Sequence, residues 1–292
     1  MSKKIAFLGP HGTFTEEAAH SIFENDQVQY ISFGSIPDVL DAVAMKKVDY
    51  AVVPLENSIE GSVNLTLDWI IHEMELPILA ELVLPIAQHL FVSTAQSSIS
   101  LSQIQRIYSH PQAIAQCRRF IHNHLTHAEI IYTNSTAEAA ETVSENPEKP
   151  WAAIGTRLAK ELYSLTFLKE SIEDYKDNYT RFIVVGENPL QLRSTQTPSY
   201  RTMILVTLPK DYPGALYQVL AAFAWRKINL SRIESRPTKK GLGNYYFIID
   251  IEQKMDDVLL PGAFAEIEAL GCQIRILGSY PYDVKTKDEV HS

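Results

Sequence analysis

The order of predicted strands and helices changes once along this chain, and that change constrains its fold most. Up to about residue 186, short apolar runs typical of strands alternate with segments of helical periodicity. This alternation predicts a parallel sheet covered by helices. Beyond residue 200 the order becomes strand, helix, strand, strand, helix, strand, which is the split βαβ arrangement of ferredoxin-like domains. We therefore predict an α/β protein with a second, smaller domain at its end.

The first domain is predicted to consist of two lobes. The apolar segment Ile78–Thr94, which is interrupted by Pro85, is predicted to be extended and to pass from one lobe to the other. A polar, aperiodic stretch after the last strand of this domain indicates a linker. The predicted boundaries are residues 1–187 for the first domain (lobes of about 1–80 plus 178–187, and of 81–177), 188–199 for the linker, 200–282 for the second domain and 283–292 for a tail.

Three finer predictions depend on local sequence. Helical periodicity predicts one helix over Pro111–Leu125 and another over Met255–Leu270, and Pro261 must break or kink the second of these. The glycine-rich residues 239–244 predict a hairpin turn between the two middle strands of the second domain.

Composition excludes several classes of protein. The 292 residues include 26 Lys and Arg against 35 Asp and Glu, a formal net charge of −9, which disfavours a surface that tracks nucleic-acid phosphates. No window approaches the roughly 18 apolar residues of a membrane span, and the first apolar run is too short for an export signal. The two cysteines, far apart in the sequence, predict neither a disulfide framework nor a zinc site. We expect a cytoplasmic protein that binds neither nucleic acid nor membranes.

Polar motifs follow several predicted strands of the first domain, where open α/β sheets bind ligands. Gly9-Pro-His-Gly12 is either a structural turn or an anion site at a helix N-terminus. Asn57 and Ser58 either bind carboxylate oxygens or cap the next helix. His110 in Ser109-His-Pro-Gln112 is either a general acid or the residue before a helix that starts with proline. A Ser/Thr-rich loop, Thr133-Asn-Ser-Thr, supplies further neutral donors for small carboxylates.

The second domain contains two motifs suited to an amino acid. Small residues in Pro213-Gly-Ala-Leu would let a ligand approach the start of a helix. Glu234 and Arg236 in Ile233-Glu-Ser-Arg-Pro either bind the ammonium and carboxylate of that ligand or form an ordinary surface ion pair.

In this order, the motifs resemble those of the prephenate dehydratase family. The matching segments are Gly9-Pro-His-Gly-Thr-Phe, Pro54-Leu-Glu-Asn-Ser-Ile-Glu-Gly-Ser-Val, Ser109-His-Pro-Gln-Ala, Thr133-Asn-Ser-Thr-Ala-Glu-Ala-Ala, Ala152-Ala-Ile-Gly and Asn178-Tyr-Thr-Arg-Phe. Pro213-Gly-Ala-Leu-Tyr-Gln-Val-Leu and Ile233-Glu-Ser-Arg-Pro resemble the phenylalanine-sensing signatures of an ACT domain. Gly155-Thr156 departs from the family pattern, in which Ser follows Ala or Gly.

The resemblance implies a catalytic domain of the two-lobed, type II periplasmic-binding-protein-like fold, followed by a ferredoxin-like βαββαβ ACT domain. It implies the conversion of prephenate to phenylpyruvate without a cofactor or metal, feedback by L-phenylalanine, and homodimers or homotetramers formed through the ACT domains. Thr180 would be the catalytic hydroxyl. Predicted substrate-binding residues are Asn57, Ser58, Gly61, Ser109, His110, Gln112, Ser135, Thr136, Arg181 and Phe182; predicted effector-binding residues are Gly214, Ala215, Leu216, Asn229, Leu230, Glu234, Ser235 and Arg236.

Two alternatives stay open at this stage. An arogenate dehydratase performs the same chemistry on a substrate with an amino group in place of the keto oxygen, and the cleft motifs do not separate the two. A non-catalytic amino-acid sensor built from the same two modules is disfavoured by the intact Thr180-Arg-Phe.

Overall fold

The strands and helices alternate in the first part of the chain as the sequence predicts. A computed structural model describes residues 2–23, 27–190, 199–210, 212–238 and 245–286. In chain order the strands and helices are β1 (Lys3–Leu8), α1 (Phe14–Ile22), β2 (Val28–Phe33), α2 (Ile36–Ala44), β3 (Tyr50–Asn57), β4 (Gly61–Ser62), α3 (Asn64–His72), β5 (Ile78–Pro85), β6 (His89–Ser93), β7 (Arg106–Ser109), α4 (Pro111–Gln116), α5 (Arg118–His124), β8 (Glu129–Tyr132), α6 (Thr136–Ser144), β9 (Trp151–Gly155), α7 (Arg157–Leu162), β10 (Leu165–Lys169), β11 (Tyr179–Gly186), β12 (Ser199–Thr207), α8 (Ala215–Ala224), β13 (Leu230–Pro237), β14 (Tyr245–Ile251), α9 (Leu259–Ala269) and β15 (Gln273–Val284).

The described residues divide into two compact units. The first unit comprises those within 1–67, 83–182 and 285–292, and the second comprises those within 68–82 and 183–284. The predicted domain boundaries, which follow the sequence pattern, remain a prediction.

The first unit contains two groups of strands, one for each predicted lobe. In one group, β1 pairs in parallel with β2 and β3, and β4 pairs antiparallel with β3. The first half of β11 belongs to this unit and neighbours β3. The other group is a five-stranded sheet in the order β10-β6-β9-β7-β8, in which β7 is parallel to β8 and β9. Apolar clusters bury Ile107 and Ile121 in one core and Ala140 and Ala153 in another.

The predicted single helix over Pro111–Leu125 is wrong: the chain forms two helices, α4 and α5, that meet at the buried Cys117. Asp174 accounts for the break, because it satisfies backbone groups on both sides of it. Its N–H donates to the carbonyl of Gln116 (2.7 Å), and its carboxylate accepts from the N–H of Arg119 (3.0 Å).

The second unit confirms the predicted strand, helix, strand, strand, helix, strand order. Its strands lie in the order β13-β14-β12-β15, with antiparallel pairs, and Phe223 of α8 and Phe264 of α9 pack in its core. Pro261 does not break α9, because the helix begins only at Leu259. A proline in the first turn replaces an N–H that has no partner within the helix in any case.

Some sequence predictions concern residues that the structure describes only in part. Most of the predicted linker (191–198) and the predicted hairpin turn (239–244) lie outside the described residues. The last strand continues to Val284, past the predicted start of the tail at residue 283. No helix among the described residues has the length and apolar character needed to span a membrane.

Candidate active site

A cavity of about 470 Å³ lies within the first unit and is lined by residues of both lobes. Thr180, Phe182 and Gly61 come from the first lobe, and His110 and Ser135 come from the second. Of the described residues that line it, none is Lys or Arg, and Glu60 is the only Asp or Glu. Apart from Glu60 and His110, the polar side chains of this lining are therefore hydroxyl and amide groups.

The hydroxyl group of Thr180 is held by Asn57. Thr180 lies on β11 and is 8% exposed, and Asn57 ends β3. The Asn57 side-chain amide (Nδ2) donates to Oγ1 of Thr180 at 2.8 Å and to Oδ1 of Asn178 at 2.8 Å. Because Oγ1 accepts this bond, the hydroxyl hydrogen of Thr180 remains available to an oxygen atom in the cavity.

Asn57 itself has no hydrogen left for a substrate. Its two amide hydrogens serve Asn178, Thr180 and the carbonyl of Tyr179, and its carbonyl oxygen accepts from the N–H groups of Ile59 (3.0 Å) and Glu60 (3.1 Å). The predicted binding of a substrate carboxylate by this residue is corrected to the positioning of Thr180.

Two predicted substrate-binding serines are engaged elsewhere. Ser58 does not belong to the cavity lining; its hydroxyl group donates to the carbonyl of Asp177 (3.2 Å) and accepts from the N–H of Tyr179 (2.9 Å). Ser109 is fully buried and donates to the carbonyl of Ile154 (2.7 Å). Both residues fix the backbone around the cavity rather than line it.

Arg181 also lies away from the cavity, because successive side chains of a strand point to opposite faces. Thr180 and Phe182 on either side of it line the cavity, whereas its guanidinium (Nη1) pairs with Oε2 of Glu56 at 2.7 Å. Its predicted role in substrate binding is therefore corrected to an ion pair with β3.

The remaining predicted substrate-binding residues do line the cavity. His110 and Ser135 also cap helices: Nδ1 of His110 accepts from the N–H of Gln112 (3.3 Å), and Oγ of Ser135 accepts from the N–H of Glu138 (3.0 Å). His110 thus stands directly before a helix that starts with proline and also lines the cavity, so the helix start does not exclude a role toward a ligand. The roles of Gly61, His110, Gln112, Ser135, Thr136 and Phe182 toward a substrate remain predictions.

The glycine-rich turn after β1 already holds an anionic group of the protein. The carboxylate of Glu16 accepts from the N–H of Gly12 (2.6 Å) and from Nδ1 of His11 (2.6 Å). Burial opposes ionisation of Glu16, but hydrogen bonds from His20, Gly12 and His11 outweigh it, so the pKa of Glu16 is lowered. This geometry favours the structural interpretation of the turn.

Sequence reasoning missed a row of side chains that joins the two lobes. Gln88 and Gln116 line the cavity and are connected to Glu60 through their amides. The separation of Gln116 from Gln112 by one helical turn was the one available signal.

The hydroxyl group of Thr156, where the sequence departs from the family pattern, makes two hydrogen bonds. Oγ1 of Thr156 caps α7 by accepting from the N–H of Ala159 (3.0 Å) and donates to the carbonyl of Gly12 (2.8 Å).

No group of three or more His, Cys, Asp or Glu side chains in the described ranges is arranged to hold a metal ion.

In the second unit, the predicted effector residues at the start of α8 suit a close approach by a ligand. Gly214 has a φ of +92°, and a Cβ atom added there would have nothing within 4 Å. Ala215 is buried, and Leu216 is half-buried. Asn229 donates to Oε2 of Glu252, and Leu230 packs against the core of this unit.

Glu234 and Arg236 lie on the other face of the sheet. Ser235 is paired with Phe247, which packs against the helix-covered core, and directly paired residues share a face. Glu234 and Arg236 therefore point away from α8. Arg236 forms an ion pair with Asp68 of α3 at 2.5 Å, and Glu234 pairs with Arg232. Within one chain the two residues thus lie on the face of the sheet opposite α8, and their binding of an effector together with Gly214 remains a prediction.

Comparisons with known proteins agree with these motifs. The sequence profile of prephenate dehydratase matches residues 5–190, and that of the ACT domain matches residues 202–260. The prephenate dehydratase of Bacillus subtilis (strain 168) is 47% identical over 95% of this chain and 98% of its own. The structure of prephenate dehydratase from Arthrobacter aurescens in complex with L-Phe is similar, with a TM-score of 0.80, 37% identity, and coverage of 98% of this chain and 91% of that chain.

A third similar structure carries a different description. GqqA, described as a novel type of quorum quenching acylase, has a TM-score of 0.80 and 27% identity, and the match covers 96% of this chain and 98% of that chain. Because similar chains carry different activities, the reaction must be argued from the residues of the cavity.

Proposed function

The chain belongs to the prephenate dehydratase family, and from this we propose that it converts prephenate to phenylpyruvate with loss of water and carbon dioxide and is regulated by L-phenylalanine. The observation that carries the proposal is the Thr180 hydroxyl group, held by Asn57 with its hydrogen available to the cavity. It lies in the Asn178-Tyr-Thr-Arg-Phe segment that carries the family resemblance.

The reaction requires the ring hydroxyl group to leave as the ring carboxylate is lost. The carbon–oxygen bond breaks with its electron pair on the oxygen, which takes one proton supplied by the solvent and departs as water. The electron pair of the bond to the carboxyl carbon completes the aromatic ring, whose formation drives the reaction. Thr180 donates a hydrogen bond to the departing oxygen, where negative charge develops.

The two carboxylates of prephenate are bound by neutral groups in this scheme. Ser135, Thr136 and Gln112 line the cavity, and such donors carry no mobile proton at neutral pH. A cavity that shields the ring carboxylate from water favours its loss, because fixed dipoles replace the water shell.

L-Phenylalanine acts through the ACT domain. The relative from A. aurescens was solved with L-Phe, and the ACT profile matches the second part of this chain. The open surface at Gly214, next to the start of α8, suits the carboxylate of an amino acid.

We further propose that the chain is a cytoplasmic homodimer or homotetramer that assembles through its ACT domains. Tyr217 of α8 and Trp225, directly after this helix, are 71% and 80% exposed, and large aromatic side chains are enriched in protein interfaces.

A spectrophotometric assay of the purified chain tests the function. With prephenate, phenylpyruvate should accumulate, and L-phenylalanine should slow its formation. A parallel assay with arogenate separates the alternative substrate, since that reaction releases phenylalanine. If prephenate is not consumed under conditions in which the B. subtilis relative consumes it, the proposal is wrong.

A further inference from the structure

Gln88 occupies a fixed place at the cavity. It lies directly before β6, lines the cavity and is 3% exposed. Its backbone is held from both sides: the N–H donates to Oε2 of Glu173 (2.9 Å), and the carbonyl accepts from the N–H of Ile172 (2.8 Å). The side chain therefore starts from a rigid position.

The orientation of the Gln88 amide follows from a chain of hydrogen bonds that begins at Glu60. Gln116 donates from its Nε2 to Oε1 of Glu60 at 3.3 Å, which places the oxygen of the Gln116 amide on the other side. Oε1 of Gln116 then faces Gln88, which must present its own Nε2 (3.2 Å). Because Nε2 of Gln88 donates to Gln116, the remaining polar atom of the Gln88 side chain is Oε1, an acceptor.

That acceptor has no partner among the residues that the structure describes. A buried polar atom without a hydrogen bond destabilises the folded chain, and such atoms are rare in native proteins. Because Gln88 also lines the cavity, a bound ligand is the available source of a donor for this acceptor.

Prephenate offers one such donor. Its two carboxylates and its keto oxygen accept hydrogen bonds, and only its ring hydroxyl group donates one. We propose that Oε1 of Gln88 accepts a hydrogen bond from the ring hydroxyl group and so orients the leaving oxygen. This inference rests on the proposed function and adds to it a substrate contact that selects for the hydroxyl group.

The contact complements that of Thr180. When the hydroxyl hydrogen points to Gln88, the lone pairs of the same oxygen remain free to accept from Thr180. Two directional contacts then fix the carbon–oxygen bond before it breaks, which lowers the entropy cost of reaching the transition state. Arogenate carries the same ring hydroxyl group, so the assignment holds for either substrate.

The product provides a sharp test, because phenylpyruvate lacks the hydroxyl group. We expect Gln88→Met, which keeps an unbranched side chain but removes the acceptor, to lower kcat/KM for prephenate by roughly 10- to 100-fold. The inhibition constant of phenylpyruvate should stay within about twofold of the wild-type value. Gln29→Met, at an exposed position of β2, is the matched control and should change neither quantity.

A second variant keeps the test informative if Gln88→Met fails to fold. Gln116→Met leaves Gln88 in place but removes the partner that orients its amide. The kcat/KM for prephenate should therefore fall again, by a smaller factor, while the inhibition constant of phenylpyruvate stays unchanged. Unchanged kcat/KM in the folded variants would overturn the inference. Equal weakening of prephenate turnover and phenylpyruvate binding would also overturn it, because that indicates general damage to the cavity. An inactive wild-type chain overturns the proposed function itself, and the inference with it.

Discussion

Asn57 and Thr180, 123 positions apart in the sequence, are joined by a hydrogen bond of 2.8 Å from the amide of one to the hydroxyl oxygen of the other. Threonine has no special acidity, so its use in catalysis depends on position. The bond from Asn57 determines which way the threonine hydrogen points. The candidate site therefore depends on an orienting amide as much as on the hydroxyl group it holds.

The orienting role of Asn57 predicts how its variants behave. Asn57→Asp replaces a donor with a carboxylate that accepts from Thr180, which withdraws the threonine hydrogen from the cavity. We expect kcat to fall roughly 10²-fold, the scale for loss of one positioned donor, with little change in KM. Steady-state kinetics with prephenate measure this, and Asn123→Ala on the exposed face of α5 is the control. An unaltered kcat in folded Asn57→Asp would contradict the role.

Glu17 makes stability depend on pH. Desolvation raises the pKa of Glu17 to about 7 from an ordinary value of 4.5, although its carboxylate accepts from the N–H of Leu158 (2.9 Å). Between those values the folded chain retains a proton that the unfolded chain has released, so the free energy of unfolding falls as the pH rises.

We therefore expect Glu17→Gln, which cannot ionise but can still accept from Leu158, to remove this dependence. The wild-type free energy of unfolding, relative to that of the variant, should fall by on the order of 1–3 kcal/mol between about pH 5 and pH 8. Urea unfolding of both proteins across this range provides the measurement. Parallel pH profiles would show that Glu17 does not titrate there.

The ion pair between Arg236 and Asp68 predicts that a variant without it still binds phenylalanine but is inhibited less by it. Asp68 lies on α3, which begins directly after Val63 of the cavity lining, so the chain itself connects this ion pair to the cavity. In Asp68→Asn, the dissociation constant of phenylalanine, measured by calorimetry, should stay within about twofold of the wild-type value. The phenylalanine concentration needed for half-inhibition should rise several-fold, because the variant removes part of a coupling of about 1–3 kcal/mol between the two sites. Asp68→Glu, which keeps the charge, should restore inhibition. If Asp68→Asn is inhibited like the wild type, the ion pair has no part in regulation.

Much of the fold followed from periodicity, while the details of the site did not. Alternating strands and helices predicted both lobes. Which of Thr180 and Arg181 faces the cavity depends on strand pairing, which a single sequence does not specify. The partner of Arg236 lies 168 positions away. The row from Glu60 through Gln116 to Gln88 joins three distant segments, so the spacing of Gln112 and Gln116 could place Gln116 beside the cavity but could not reveal its partners.

The rate of phenylpyruvate formation by Thr180 variants tests the central claim most directly. The kcat of folded Thr180→Ala should fall by roughly 10²- to 10⁴-fold because the hydrogen-bond donor to the leaving oxygen is lost, while Thr180→Ser, which keeps the donor, should retain more activity. Circular dichroism and phenylalanine binding verify that each variant is folded. Wild-type turnover by a folded Thr180→Ala variant would contradict the account.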